Sequence, residues 1–167
     1  MVETLLPQIL VDKARQVVDA NRQADRRIAV AESCTGGLVS AAITEIAGSS
    51  DVFEAGYVTY SNASKLSQLK VSEDVVETFG AVSVATAWAM ARGALAASDA
   101  DVAVAITGIA GPGGGSPSKP VGTVVFARAE RGADPAKIVA DQKLLKDEGR
   151  AGVRLQAALC ALDLLMP

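Results

Sequence analysis

Apolar residues recur along this chain with two periods, and the change from one to the other marks its elements. Leu5 to Asn21 reads as an amphipathic helix, with Leu5, Ile9, Leu10, Ala14, Val17 and Val18 on one face. A polar turn, Arg22–Arg27, leads into the short apolar run Ile28–Ala31, a buried strand. Gly37–Ile46 returns to helical spacing and stops near Gly48-Ser49-Ser50. Phe53–Tyr60 alternates and holds β-branched and aromatic residues, as strands do. Asn62–Leu69 predicts a short helix capped by Ser61 or Asn62. Ser72–Phe79 predicts a small helix ended by Gly80. Ser83–Ser98 is a longer, alanine-rich helix, and Val102–Thr107 is a continuous apolar strand. Gly108–Pro120 is too rich in Gly, Pro and Ser for regular structure. Gly122–Ala129 and Lys137–Leu145 read as strands, the second of the edge type, and Arg150–Leu165 as the closing helix.

Strands and helices alternate through the first half, which calls for crossover connections and parallel pairing. The last two strands, joined around Gly132 and Pro135, read as a hairpin. The expected architecture is one α/β domain over residues 1–167, with a mixed, mostly parallel sheet and helices packed on both faces. There is no internal repeat.

Composition narrows the picture. Half of the residues are apolar but only 4% are aromatic, which suits closely packed helices on a sheet. The net charge is -3. A mildly acidic chain without a basic block argues against general nucleic-acid binding, though a few placed cations could still hold a small anion. Two cysteines far apart, Cys34 and Cys160, make no disulfide framework and fit a reducing cytosol. Met1–Leu10 lacks a basic signal-peptide start. The longest apolar stretch, Ala81–Ala97, is broken by Ser83, Thr86, Arg92 and Gly93 and is too short and polar to span a bilayer. The expectation is a cytoplasmic chain with no membrane partner. The alanine-rich helix and the closing helix are expected to leave apolar faces for a homo-oligomer.

Polar residues cluster where a core or a simple turn does not need them. The segment Glu32-Ser33-Cys34-Thr35-Gly36-Gly37 sits between a strand and a helix. Backbone N–H groups at such a helix start favour anions and can form an oxyanion hole. Ser33 is either a nucleophile there or a cap, and Thr35 is an equally good cap. The chain has no histidine, so a Ser-His-Asp triad is impossible and serine chemistry needs another base. Lys65, in Tyr60-Ser61-Asn62-Ala63-Ser64-Lys65, could serve if burial lowered its pKa; its plain reading is a solvated lysine. Tyr60 is either a strand-end aromatic or a proton relay. Cys34 reads as a packed, inert thiol. The glycine loop after Thr107 is an anion cradle or a flexible lid, without the ending of a P-loop. Arg150 starts the last helix, a poor place for a cation by the helix dipole, so it pairs with an acid such as Glu148 or faces an anionic ligand. The carboxylates and cysteines are not spaced as a metal site. Three of the four polar segments follow predicted strands, where α/β sheets bind ligands.

Several motifs in fixed order go further. They are AESCTGG at Ala31–Gly37, YSNxxK at Tyr60–Lys65, GAVS at Gly80–Ser83, TGIAGPGGG at Thr107–Gly115 and KPVGTV at Lys119–Val124. From about Leu5 to Leu165 the chain resembles the C-terminal domain family of the competence/damage-inducible protein CinA. Stand-alone members are nicotinamide-nucleotide amidases. The resemblance implies hydrolysis of nicotinamide mononucleotide to nicotinic acid mononucleotide and ammonia, without metal or organic cofactor. It casts Ser33 as nucleophile, Lys65 as base, and Tyr60 and Thr107 as supporting groups. Thr35, Gly36 and Gly37 would offer oxyanion donors, and Gly108, Gly111 and Arg150 would hold the nucleotide. Arg150 stands where the family has G-D-R, but this chain reads Glu148-Gly149-Arg150. The rival reading is a catalytically silent nucleotide-binding or regulatory module of a competence or DNA-damage response.

Overall fold

The computed structural model describes Met1 and residues 3–167. Among these residues five strands form one sheet: β1 (Ile28–Glu32), β2 (Phe53–Val58), β3 (Val102–Gly108), β4 (Thr123–Glu130) and β5 (Val139–Leu144), in the order β2-β1-β3-β4-β5. β1 is parallel to both β2 and β3, whereas β4 runs antiparallel to its neighbours β3 and β5. Among the described residues, six α-helices complete the fold: α1 (Gln8–Gln23), α2 (Leu38–Thr44), α3 (Asn62–Leu69), α4 (Glu73–Phe79), α5 (Val84–Ala96) and α6 (Gly149–Leu164). A 3-10 turn spans Ser49–Asp51. No helix among the described residues is long and apolar enough to cross a membrane.

Residue size sorts the two layers. Successive strand side chains point to opposite faces. Ile28, Val30, Val102, Val104, Ile106, Val124 and Phe126 therefore face α1, α2 and α6 in one apolar core. Ala29, Ala31, Ala103, Ala105, Ala127 and Ala129 face the other way, against Ala87, Met90, Ala91 and Ala94 of α5. An alanine-lined sheet lets an alanine-lined helix sit close. Gly93 extends this closeness outward, because a Cβ there would lie 2.1 Å from the Leu69 carbonyl oxygen at the end of α3.

Two expectations change. The first helix begins after Pro7, since a residue preceding proline is pushed out of helical geometry. Leu5 and Ile9 are exposed, and Leu10, Val11, Ala14, Val17 and Val18 form the buried face. The expected apolar faces of α5 and α6 are spent on the sheet: Ala87 to Leu95 and Val153 to Leu162 supply core residues to the two layers.

The connections place the ligand edge. From β1 the chain reaches β2 through α2 on one face, then returns past β1 to β3 through α3, α4 and α5 on the other. The carboxyl ends of β1 and β3 thus lie where the connections diverge, the usual site of a crevice in such sheets.

Candidate active site

Ser33 follows β1 directly, and its N–H donates to the Ile106 carbonyl of β3 at 2.9 Å. That bond fixes the serine backbone between the two parallel strands. Lys65 occupies the first turn of α3, whose cap is Ser61, accepting from the Ser64 N–H at 3.1 Å. The lysine is only 1% exposed. Its Nζ lies 3.1 Å from Ser33 Oγ, 2.9 Å from the Thr59 carbonyl and 3.1 Å from the Tyr60 carbonyl. None of the three partners is a carboxylate. Burial therefore pushes the Lys65 amine below its ordinary 10.5. The lysine Nζ donates to the two carbonyls and to Ser33 Oγ, which sets the amine within proton-transfer distance of the serine hydroxyl.

The turn after Ser33 is built differently from the sequence reading. Neither Ser33 nor Thr35 caps α2. Its N-cap is Gly37 at φ +95°, preceded by Gly36 at φ +60°, a left-handed pair suited to glycine. Glu32, fully buried, supplies the cap: its carboxylate accepts from the N–H groups of Gly37, Val39 and Ser40 and from the Ser40 hydroxyl. Gly36 N–H donates to the Ser33 carbonyl. The Gly36 and Gly37 donors are thus already engaged, and Thr35, Gly36 and Gly37 do not line the cleft. Thr35 Oγ1 is buried without a hydrogen-bond partner among the described residues. From α6, Arg154 donates to the carbonyls of Cys34 at 3.2 Å and Thr35 at 2.9 Å. Sequence reasoning missed both Glu32 and Arg154. Their only signals were a charged residue ending an apolar strand and an arginine one helical turn after Arg150.

The cleft has a volume of about 280 Å³ and brings together Ser33, Lys65, Tyr60, Thr107, Gly108, Gly111 and Arg150. Asn62, also missed, lines it. Arg150 does not pair with Glu148, which binds Lys146 instead. Its guanidinium donates to the Gly111 carbonyl and to Tyr60 Oη, both at 2.8 Å, tying the glycine loop to the end of the β2 segment. Tyr60 is 57% exposed. Thr107 Oγ1 donates to the Ala81 carbonyl at 2.8 Å and so holds the opposite wall. The loop between β3 and β4 is anchored at both ends: Gly122 N–H donates to Ile109 O, and Lys119 Nζ reaches the Val82 carbonyl at 2.6 Å. Arg150 brings a guanidinium to the cleft, and no carboxylate is among the lining residues. Cys34 lines the cleft, but burial pushes its thiol up to about 11. It is protonated at neutral pH and a poor nucleophile.

A family model, the CinA C-terminal domain, matches residues 11–167. The chain is 54% identical over 136 residues to "Nicotinamide-nucleotide amidohydrolase PncC" of Enterobacter agglomerans, covering 81% of this chain and 80% of that protein. It is 49% identical over 145 residues to a protein of the same name from Pseudomonas putida, covering 87% and 88%. Longer relatives, CinA-like proteins among them, match over 33% or less of their own length. The crystal structure of competence/damage inducible protein CihA from Agrobacterium tumefaciens superposes with a TM-score of 0.91 at 44% identity, covering 97% of this chain and 96% of that one.

Proposed function

The chain belongs to the CinA C-terminal domain family, and from that premise we propose that it hydrolyses the carboxamide of nicotinamide mononucleotide through a Ser33 nucleophile and a Lys65 base. The activity named for the Enterobacter agglomerans and Pseudomonas putida relatives supports the reaction. The observation that carries the mechanism is the buried lysine amine 3.1 Å from the serine hydroxyl with no carboxylate to hold its charge.

Neutral Lys65 takes the Ser33 proton as Oγ attacks the carboxamide carbon. The carbonyl oxygen becomes an oxyanion. Gly36 and Gly37 are occupied, so the backbone N–H groups of Cys34 and Thr35, which donate to no backbone carbonyl among the described residues, are the donors left in this turn. Such a donor typically contributes roughly 10²–10³ in rate. The Lys65 ammonium then returns its proton to the leaving nitrogen, ammonia departs and an acyl-serine remains. Water, deprotonated by Lys65, releases nicotinic acid mononucleotide and restores the serine. The atoms balance with substrate and water alone. Tyr60 keeps its own hydroxyl hydrogen while accepting from Arg150, so it can donate to substrate. Arg150 and the glycine loop are suited to the phosphate, and Thr107 keeps the cleft wall in place.

Ammonia release from nicotinamide mononucleotide, its riboside and free nicotinamide tests the substrate, with the acid product identified by mass. The nucleotide should turn over best, and Arg150→Ala should raise its KM more than it lowers kcat. Folded protein that releases no ammonia from saturating nucleotide contradicts the reading and favours a silent binding module.

A further inference from the structure

β5 leaves both apolar side chains and backbone uncovered. Ile138, Val139 and Leu144 are 54%, 53% and 68% exposed, at the outer edge of the sheet. The Leu145 N–H donates to Gly122 O, and Ile109 N–H donates to Thr123 O. With the strand register, these bonds direct the backbone groups of Val139, Asp141 and Lys143 toward β4. Those of Ala140, Gln142 and Leu144 point away from the sheet and have no partner among the described residues. An open edge of this kind is a template for another strand.

We propose that β5 pairs antiparallel with β5 of a second copy of this chain, about a twofold axis at Gln142, joining two sheets into one. The sequence is self-complementary in that register. Gln142 meets its own copy, and Ala140 meets Leu144 of the second copy, all at positions whose backbone groups are free to exchange hydrogen bonds. Asp141 falls opposite Lys143 of the second copy, and Lys143 opposite Asp141, so unlike charges meet on both sides of the axis. Val139 falls opposite Leu145 of the second copy, which covers an exposed apolar residue with a half-buried one. Charges on an edge strand usually repel strand addition. Here they select one register of a symmetric contact, as closed twofold interfaces require. No residue lining the cleft lies on β5, so both clefts stay open.

Light scattering with size exclusion, on wild type, Asp141→Lys, Lys143→Glu and the double variant, tests this. Each single reversal sets like charges opposite each other twice, and the double variant restores opposite pairing. The expected result is a particle of twice the 17.0 kDa chain mass for wild type and the double variant, and monomer for the single variants. Circular dichroism checks folding, and if one single variant misfolds, the other and the double variant decide. A monomeric wild type overturns the proposal, as does a dimer unchanged by a folded single reversal. The readout is mass, so its failure is independent of the amidase reading.

Discussion

Lys65 Nζ lies 3.1 Å from Ser33 Oγ, although the two residues arrive from different elements. The serine is held by β3 through its own N–H, and the lysine is held by α3 and by two carbonyls beyond β2. The pairing therefore depends on how the sheet and the α3–α5 layer seat against each other, and its chemistry depends on burial.

The pH dependence follows from the lowered lysine. The base must be neutral, so kcat/KM should fall on the acid side with an apparent pKa below the ordinary 10.5. Stability has the same origin. Between the lowered folded value and 10.5 the unfolded chain binds more protons than the folded one, so stability rises with pH across that window. Wild type should gain stability relative to Lys65→Met as pH climbs through it, and the difference should be flat below it. Urea unfolding of both proteins across pH measures this, and a difference independent of pH in that window contradicts a lowered pKa.

Cys34 sits beside the serine but should be dispensable for chemistry. Its thiol is buried and raised to about 11, so Cys34→Ala should keep kcat within a few-fold. Thiol alkylating reagents should leave the native enzyme active. Rapid loss of activity with modification of Cys34 would reassign the nucleophile.

Arg154 acts through the turn. It donates to the Cys34 and Thr35 carbonyls, and each trans peptide points its N–H opposite to its C=O. Arg154→Ala frees the orientation of these peptides and should lower kcat about tenfold, equivalent to about 1.4 kcal/mol, with KM little changed. Arg154→Lys should recover part of the loss. Steady-state kinetics on the two variants separate this from general destabilisation, which would lower the amount of active enzyme rather than restore with lysine.

Gly93 sets the seat of the lysine helix. A methyl group there would meet the Leu69 backbone at 2.1 Å, and α3 would have to move. Gly93→Ala should destabilise by about 1–3 kcal/mol and reduce kcat by shifting Lys65. A melting temperature and kcat unchanged from wild type would contradict the close approach.

Much of this was legible along the chain because it is local. The short apolar runs Ile28–Ala31 and Val102–Thr107, the alternation of Phe53–Tyr60 and the cap at Ser61 each announce their geometry within a few residues. The site was legible as a set of polar segments at strand ends. What the sequence hid are pairings across long separations. Glu32 reads as a strand-end acid until α2 folds its N–H groups onto it. Arg154 meets the Cys34 and Thr35 carbonyls from 120 and 119 residues away, and the Arg150–Tyr60 contact joins residues 90 apart. The α1 face was misread because one proline moves the start of the helix past Leu5.

Everything in this reading turns on a serine nucleophile activated by a buried lysine. Ammonia release from nicotinamide mononucleotide by wild type, Ser33→Ala and Lys65→Ala, with folding checked by circular dichroism, tests it most directly. Wild type should turn over, and both folded variants should lose turnover, by about 10³-fold or more for the serine. Turnover surviving in Ser33→Ala would contradict it and place the attacking group elsewhere in the cleft.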